Sequence, residues 1–173
     1  YYKRFPTSAD LWEADWYVAV GSGDIRGADS ISRSVHETAR TARQSIRSAR
    51  SAGLTADLRG RPSEGLRWTT ISNEATLRVD PSAATRQTFM FDSAFYLAGI
   101  LERPSEARAL LARGLARVPM SQIPAAERDW NYLGQLAVTS RDPGLARQAR
   151  DGFNRDQAAT TADPEGARAR FEV

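Results

Sequence analysis

The chain has 173 residues, of which 26% are charged and 41% hydrophobic, a composition typical of a folded globular protein. It contains no cysteine and one histidine, His36, which excludes disulfide scaffolds, thiolate metal sites, cysteine nucleophiles and histidine-rich zinc sites. The net charge of +3 is too small to indicate a nucleic-acid partner by itself.

The longest uninterrupted apolar run, Ala94 to Leu101, has eight residues. A transmembrane helix needs roughly 20, so we expect no membrane insertion. No signal peptide is recognisable and the first residue is Tyr1 rather than Met, which indicates a segment of a longer protein. Of the 24 basic residues, 23 are arginine, and with abundant alanine this is typical of a GC-rich bacterial genome. We expect a cytoplasmic location, and an extracytoplasmic one stays open.

Helical patterns run along the whole chain, with apolar residues three and four positions apart and almost no alternating β pattern. Glycine or proline interrupts them at four points, where we expect turns: near Gly23, Gly60, Arg103 and Asp142. A small residue follows each interruption, at Ala28, Gly65, Ala107 and Ala146, with spacings of 37, 42 and 39. A recurrence of this length is typical of stacked helix pairs.

We therefore predict four helix pairs, over residues 9–42, 46–79, 88–121 and 127–157. Thr7 or Ser8 is expected to cap the first helix. The sequence Asp80-Pro81-Ser82 is expected to end the second pair and to begin the third. Beyond the fourth pair, a further or capping helix is expected over residues 163–173.

The fourth pair carries the clearest motif, Trp130-Asn131-Tyr132-Leu133-Gly134-Gln135-Leu136-Ala137, which follows the pattern W-x2-L-G-x2-A. With Ala146 beyond it, this segment resembles the tetratricopeptide repeat. Gly134 and Ala146 are expected to face each other where the two helices come closest, beside a largely buried Trp130. The third pair repeats the pattern more weakly with Phe91, and both Phe91 and Phe95 are expected in the core.

The resemblance covers roughly residues 9–156 and implies an all-α fold, a single domain of antiparallel helix pairs stacked as a right-handed superhelix. It also implies a non-enzymatic scaffold that binds a protein or peptide, here as part of a larger bacterial regulatory protein. In such a stack the first helix of each pair lines the concave face. On that basis we predict one peptide-binding groove lined by Tyr17, Arg50, Asp92, Tyr96, Asn131 and Gln135.

An alternative function rests on a basic stripe, which on one continuous helix would form a single face. Its anion-binding candidates are Arg33, Arg40, Arg43, Arg47 and Arg50, with His36 between them. The stripe could bind an anion or nucleic acid. The other interpretation, which we favour, is a solvated face partly paired with acidic residues on neighbouring helices. If helix pairs form, a break between Ala39 and Gln44 divides the stripe between two helices.

No catalytic pattern is recognisable. The segments Gly21-Ser22-Gly23-Asp24 and Arg26-Gly27 lack the following Lys-Ser/Thr and the preceding strand of a phosphate-binding loop, which favours a turn between helices. The acidic residues form no close pair suited to general acid–base catalysis, and no G-x-S-x-G motif occurs. We expect no enzyme activity, cofactor or metal, and the oligomeric state stays open.

Overall fold

A computed structural model describes residues 11–162, with the side chains of residues 11–159. This range forms eight α-helices and no β-strand, which confirms the all-α prediction. The helices are α1 (Leu11–Gly21), α2 (Ile25–Glu37), α3 (Ala42–Leu58), α4 (Pro62–Val79), α5 (Ala83–Phe95), α6 (Pro104–Arg117), α7 (Trp130–Thr139) and α8 (Pro143–Ala162). A π-helical turn, Tyr96–Ile100, continues α5, and two 3-10 turns, Met120–Gln122 and Ala125–Glu127, precede α7.

The cap predicted at Thr7 or Ser8 and the helix predicted over residues 163–173 lie outside the described residues. Helix α3 begins at Ala42, before the predicted start of its pair, and α8 continues to Ala162, beyond the predicted end. Within residues 11–162, no helix combines the length and the apolar composition that crossing a membrane requires.

The four turns lie where the sequence predicts them and share one feature of backbone conformation. One residue of each turn has a left-handed conformation: Gly23 (φ 81°), Gly60 (φ 70°), Glu102 (φ 54°) and Arg141 (φ 56°). A left-handed residue just after a helix redirects the chain and lets later N–H groups bond to the last carbonyls. Arg61 N donates to Ala56 O at 2.9 Å in this way, and Asp142 N donates to Ala137 O at 2.8 Å.

Local caps explain where several helices begin. The Asp24, Thr41, Ser82 and Asp129 side chains each accept a hydrogen bond from a backbone N–H in the first turn that follows. Helices α4, α6 and α8 begin at a proline, whose missing N–H is not needed there. At the start of α8, Asp142 Oδ1 also accepts from Leu145 N at 3.0 Å. The predicted break at Asp80-Pro81-Ser82 is confirmed, because Asp80 ends α4 and Ser82 caps α5.

Contacts divide the chain into two compact units, Tyr1–Pro81 and Ser82–Val173. We call them the N-terminal unit, which holds α1–α4, and the C-terminal unit, which holds α5–α8. In each unit the first helix of a pair packs against the second, α1 on α2, α3 on α4, α5 on α6 and α7 on α8. The all-α hairpin pattern is thus present in both units.

Small and polar residues fill much of the N-terminal unit. Helices α3 and α4 approach closely at Gly53, where an added Cβ would lie 3.4 Å from Gly65 O. Most other buried residues of this unit are small or polar: Ala28, Asp29, Ser32, Ser48, Ala49, Ala52, Thr55, Ala56, Ser72 and Asn73. Several of the hydroxyl groups bond to a backbone carbonyl, as Ser72 Oγ does to Ile46 O at 3.1 Å, so close packing leaves these groups satisfied.

Large apolar side chains fill the C-terminal unit. Its core contains Phe91, Ala94, Ala98, Ala107, Leu111, Met120, Trp130, Leu133, Leu136, Ala137, Leu145 and Ala149. Trp130 is 8% exposed, which confirms its predicted burial, and Phe91 is 1% exposed. The burial of such large groups supplies the main stabilisation of this unit, at about 2 kcal/mol for each.

The predicted contact between Gly134 and Ala146 is wrong. The side-chain atom nearest to an added Cβ at Gly134 is Ala149 Cβ, at 3.9 Å, one helical turn further along α8. The register follows from Trp130, whose ring lies over Gly152 so closely that a Cβ there would be 2.3 Å from Cη2 of the indole. Because α7 and α8 are antiparallel, the pairing of residue 130 with residue 152 places residue 134 opposite residue 148, next to Ala149 rather than Ala146.

Candidate binding surface

In the N-terminal unit, side chains connect the two first helices, α1 and α3. Trp16 Nε1 donates to Thr55 Oγ1 at 3.1 Å, and both side chains are buried. An ion pair between Arg47 and Glu13 makes a second connection. Since both links advance in the same direction along the two helices, α1 and α3 run parallel.

Two residues of the predicted groove, Tyr17 and Arg50, lie on the surface formed by α1 and α3. Tyr17 is 67% exposed, with its ring edge-on to Trp16 at a centroid distance of 5.1 Å. It lies one helical turn after Glu13, and Arg50 lies about one turn after Arg47, so both flank the Glu13–Arg47 ion pair. Arg50 is also exposed. Leu54, one turn further along α3, is 49% exposed and adds apolar area.

In the C-terminal unit, α5 and α7 are connected in the same manner. Tyr132 OH donates to Asp92 Oδ1 at 3.0 Å. An added Cβ at Gly99 would lie 3.4 Å from Thr139 Cγ2. Burial, followed by the charge of Asp92 and its hydrogen bond, raises the pKa of Tyr132 above its ordinary value, so the phenol stays protonated and donates.

The other four predicted groove residues lie along this second surface. Asp92 and Tyr96 are half-buried on α5 and its π-helical turn, whereas Asn131 and Gln135 are exposed on α7. Asn131 directly precedes Tyr132, the residue that contacts Asp92. Each unit therefore carries its own share of the predicted set on two neighbouring first helices. The single groove formed by all six residues stays a prediction.

Sequence reasoning missed two aromatic residues of this surface. Phe95 was expected in the core but is 39% exposed, so that prediction is wrong. Phe91 and Ala94 already occupy the core positions of this part of α5, and Phe95 instead lies near the Tyr132 ring, at a centroid distance of 6.5 Å. Tyr132 could have been found, because it follows Asp92 by 40 residues, close to the repeat length.

Exposed large apolar side chains concentrate on the first helices. Nine are exposed among the residues whose side chains are described. Seven lie on α1, α3, α7 or α5 with its π-helical turn: Tyr17, Val18, Leu54, Leu58, Phe95, Ile100 and Val138. Only Val79 and Phe153 lie on second helices. Exposed apolar area with polar groups beside it is characteristic of interaction surfaces.

The basic stripe is divided, as predicted for helix pairs, because α2 ends at Glu37 and α3 begins at Ala42. Arg33 pairs with both Asp29 and Glu64, and its guanidinium lies 5.2 Å from the centre of the Trp68 ring. Arg47 pairs with Glu13. Arg40, Arg43 and Arg50 are exposed. Two of the five candidate anion ligands are therefore already neutralised by carboxylates, in agreement with the structural interpretation of the stripe.

His36, at the end of α2, packs among side chains of two neighbouring helices. Its Nδ1 lies 3.2 Å from Ser45 O and 3.3 Å from Ser48 Oγ. The imidazole also makes an edge contact with Trp68, at a centroid distance of 5.1 Å. These contacts connect α2 with α3 and α4, which gives this histidine a packing role.

Comparison with protein-family models, with curated proteins and with solved structures finds no match to this chain.

Proposed function

We propose that the protein is a non-catalytic scaffold of tetratricopeptide type, a module of a bacterial regulatory protein that binds a protein or peptide along its first helices. The observation that carries the proposal is the concentration of exposed apolar side chains on these helices, seven of nine among residues 11–159. The resemblance of the fourth pair adds support, as does the parallel packing of first helices within each unit. The superhelix and the single groove are part of this proposal.

The chemistry of the surface favours an extended peptide. Tyr17 and Phe95 offer aromatic area at low entropic cost, since each has only two side-chain torsions. Asn131 and Gln135 offer amide donors and acceptors that can bond to a peptide backbone. Exposed apolar and amide groups on the first helices offer contacts for both the side chains and the backbone groups of an extended chain.

The test uses peptide selection followed by matched variants. Linear peptides from a displayed random library are selected on the full chain, and one selected peptide is then titrated by fluorescence polarisation. Gln135→Ala on α7 should weaken binding about fivefold or more, the size of a moderate interface contact. Gln148→Ala, an exposed glutamine on the second helix α8, is the matched control and should leave the affinity unchanged.

Tyr17→Ala provides the same test in the N-terminal unit, because Tyr17 is mostly exposed and its removal should leave melting nearly unchanged. The proposal fails if the selection yields no peptide, or if Gln148→Ala weakens binding as much as Gln135→Ala. It also fails if the selected peptide is insensitive to both Gln135→Ala and Tyr17→Ala.

A further inference from the structure

Two turns of the N-terminal unit border one open cleft of about 490 Å³. The α1–α2 turn and the start of α2 contribute Gly23, Asp24, Ile25 and Arg26, and the α3–α4 turn contributes Arg59 and Arg61. These residues are distant in sequence and meet because the second pair stacks on the first. The cleft lies at the turns, so it is distinct from the surface of the first helices.

The cleft carries an excess of positive charge. Three of its six lining residues are arginines, and Asp24 is the one acidic residue among them. The Asp24 Oδ1 accepts a hydrogen bond from Gly27 N at 2.9 Å and caps α2. This hydrogen bond does not cancel the formal charge of the carboxylate, so three arginines and one aspartate give the lining a formal net charge of +2. Arg26 is exposed and has no ion pair with any residue in the described range.

The other two guanidinium groups are held at the cleft by acidic residues outside it. Arg59 Nη1 pairs with Asp29, whose side chain is buried and also accepts from Arg33 Nε at 2.8 Å. A guanidinium has five N–H donors, so this pairing through Nη1 leaves the other nitrogen atoms of Arg59 available. Arg61 Nη1 lies 3.6 Å from Glu64 Oε2, a long and partly exposed pair. Ordered guanidinium groups lose less entropy when a ligand binds.

We propose that this cleft binds a phosphoryl group, in the form of a phosphate monoester or free phosphate. Arginine matches the geometry of phosphate oxygens and can donate two hydrogen bonds to one phosphate. A phosphate monoester carries about −1.5 to −2 charges at neutral pH, which offsets the arginine excess of the cleft. The phosphoryl group occupies only part of this volume, and the remainder accommodates the organic group of an ester.

This site differs from the phosphate-binding loop that the glycines near residue 21 superficially resemble. It depends on arginine side chains from two turns rather than on backbone N–H groups at the start of α2, where Asp24 already acts as the cap. It also uses none of the five arginines of the basic stripe. The site is independent of the proposed peptide-binding surface, so either proposal can fail without the other.

The test is calorimetric titration of the full chain with inorganic phosphate and with phenyl phosphate, at an ionic strength held constant with chloride. We expect saturable binding of phosphate or of both probes, in either case abolished or weakened at least about tenfold by Arg26→Gln, because a hydrogen bond between charged groups is lost. Stronger binding of phenyl phosphate identifies an organic monoester as the ligand, and equal binding identifies the phosphoryl group alone. Arg67→Gln, at an exposed arginine on α4, is the control and should bind as the parent does.

The pH dependence gives a second readout. The second pKa of a phosphate ester is about 6, so affinity should rise from pH 5 to pH 7.5 as the dianion forms. Arg26→Gln is expected to fold, since Arg26 has no described ion pair, and a thermal melt checks this. Saturable binding of neither probe overturns the proposal. An equal loss in Arg67→Gln and Arg26→Gln also overturns it, because binding would then follow general charge rather than the cleft.

Discussion

The two units have the same arrangement of helix pairs but differ in the residues that fill their interiors. Both close two helix pairs, yet six of the eight buried polar or charged residues described are in the N-terminal unit: Asp29, Ser32, Ser48, Thr55, Ser72 and Asn73. The C-terminal unit instead buries large groups such as Phe91, Leu133 and Trp130. Small residues bring helices close and leave little apolar area to bury, so the N-terminal unit depends more on hydrogen bonds and ion pairs. The comparison teaches that one hairpin pattern is compatible with two kinds of interior.

The largest effect should come from Asp29. Asp29→Ala removes the carboxylate that forms ion pairs with Arg33 and Arg59. Both guanidinium groups are partly buried, and each loses this ion pair. We expect a loss of about 3 kcal/mol in the free energy of unfolding, the low end for a broken buried ion pair. Urea denaturation followed by circular dichroism measures it. Asp15→Ala, at an exposed position on α1, should change stability by less than about 0.5 kcal/mol.

If Asp29→Ala and Asp15→Ala had equal effects, the ion pairs would not stabilise the N-terminal unit. Hydrogen exchange read by mass spectrometry sharpens the result further. The loss of protection from Asp29→Ala should concentrate in residues 11–81.

The next effect belongs to the C-terminal unit, where overpacking should dominate. Gly152→Ala places a methyl group against the indole of Trp130, which is held by a hydrogen bond from Nε1 to Asp156 Oδ2 at 2.7 Å. We expect a loss of about 2 kcal/mol, within the usual range for an overfilled core. Gly134→Ala is the matched control, since its Cβ would make an ordinary 3.9 Å contact with Ala149.

The control should be neutral or stabilising by up to about 1 kcal/mol, the gain in helix propensity. Thermal melts of the two variants measure both changes in stability and so test the register of α7 on α8. A larger loss for Gly134→Ala than for Gly152→Ala would contradict the described packing.

A smaller effect is expected at the turns, where the units also differ. The left-handed residue is glycine in the N-terminal unit but Glu102 and Arg141 in the C-terminal unit. Arg141→Gly should raise the melting temperature, by a stabilisation of about 1 kcal/mol, because it removes the steric penalty of a side chain at positive φ. Arg141→Ala retains that penalty and is the control. A gain from Arg141→Ala equal to that from Arg141→Gly would show that backbone strain is not the cause.

The smallest effect should appear in acid. The hydrogen bond from Arg33 lowers the pKa of Glu64 below its ordinary value. A depressed pKa means that Glu64 stabilises the fold above the pKa of the unfolded chain, and this contribution disappears as the pH falls through the folded-state pKa. Urea midpoints between pH 7 and pH 3 should therefore fall less steeply in Glu64→Gln than in the parent. Identical profiles would contradict the role of this pair.

The sequence predicted the helices and turns well because these depend on local chemistry. The glycines and prolines at the four turns set backbone conformation directly, and Ala28, Gly65 and Ala107 are buried as the repeat spacing indicates. The register of α7 on α8 was not predictable in the same way. It depends on how the Trp130 ring meets Gly152, a contact between residues on opposite helices that no local pattern encodes.

For the candidate surface, the sequence indicated the correct helices but not all of the side chains. Asn131 and Gln135 are exposed as expected, whereas Phe95 was assigned to the core. The error arose because helical spacing alone does not say which of two aromatic residues, four positions apart, fills the available core volume. The cleft at Arg26, Arg59 and Arg61 escaped sequence analysis because it forms only when two distant turns meet.

The ion pairs of the N-terminal unit have a consequence for how one helix pair is aligned on the next. A surface of alanine and serine is nearly smooth, so it would fit almost equally well if one pair slid by a helical turn of 5.4 Å along the other. Such a slide would separate Arg33 from Glu64 and Arg47 from Glu13, and would therefore break two ion pairs between partly buried charges. The small residues thus determine the distance between the pairs, and the ion pairs, together with the buried hydrogen bond from Trp16 to Thr55, determine their offset.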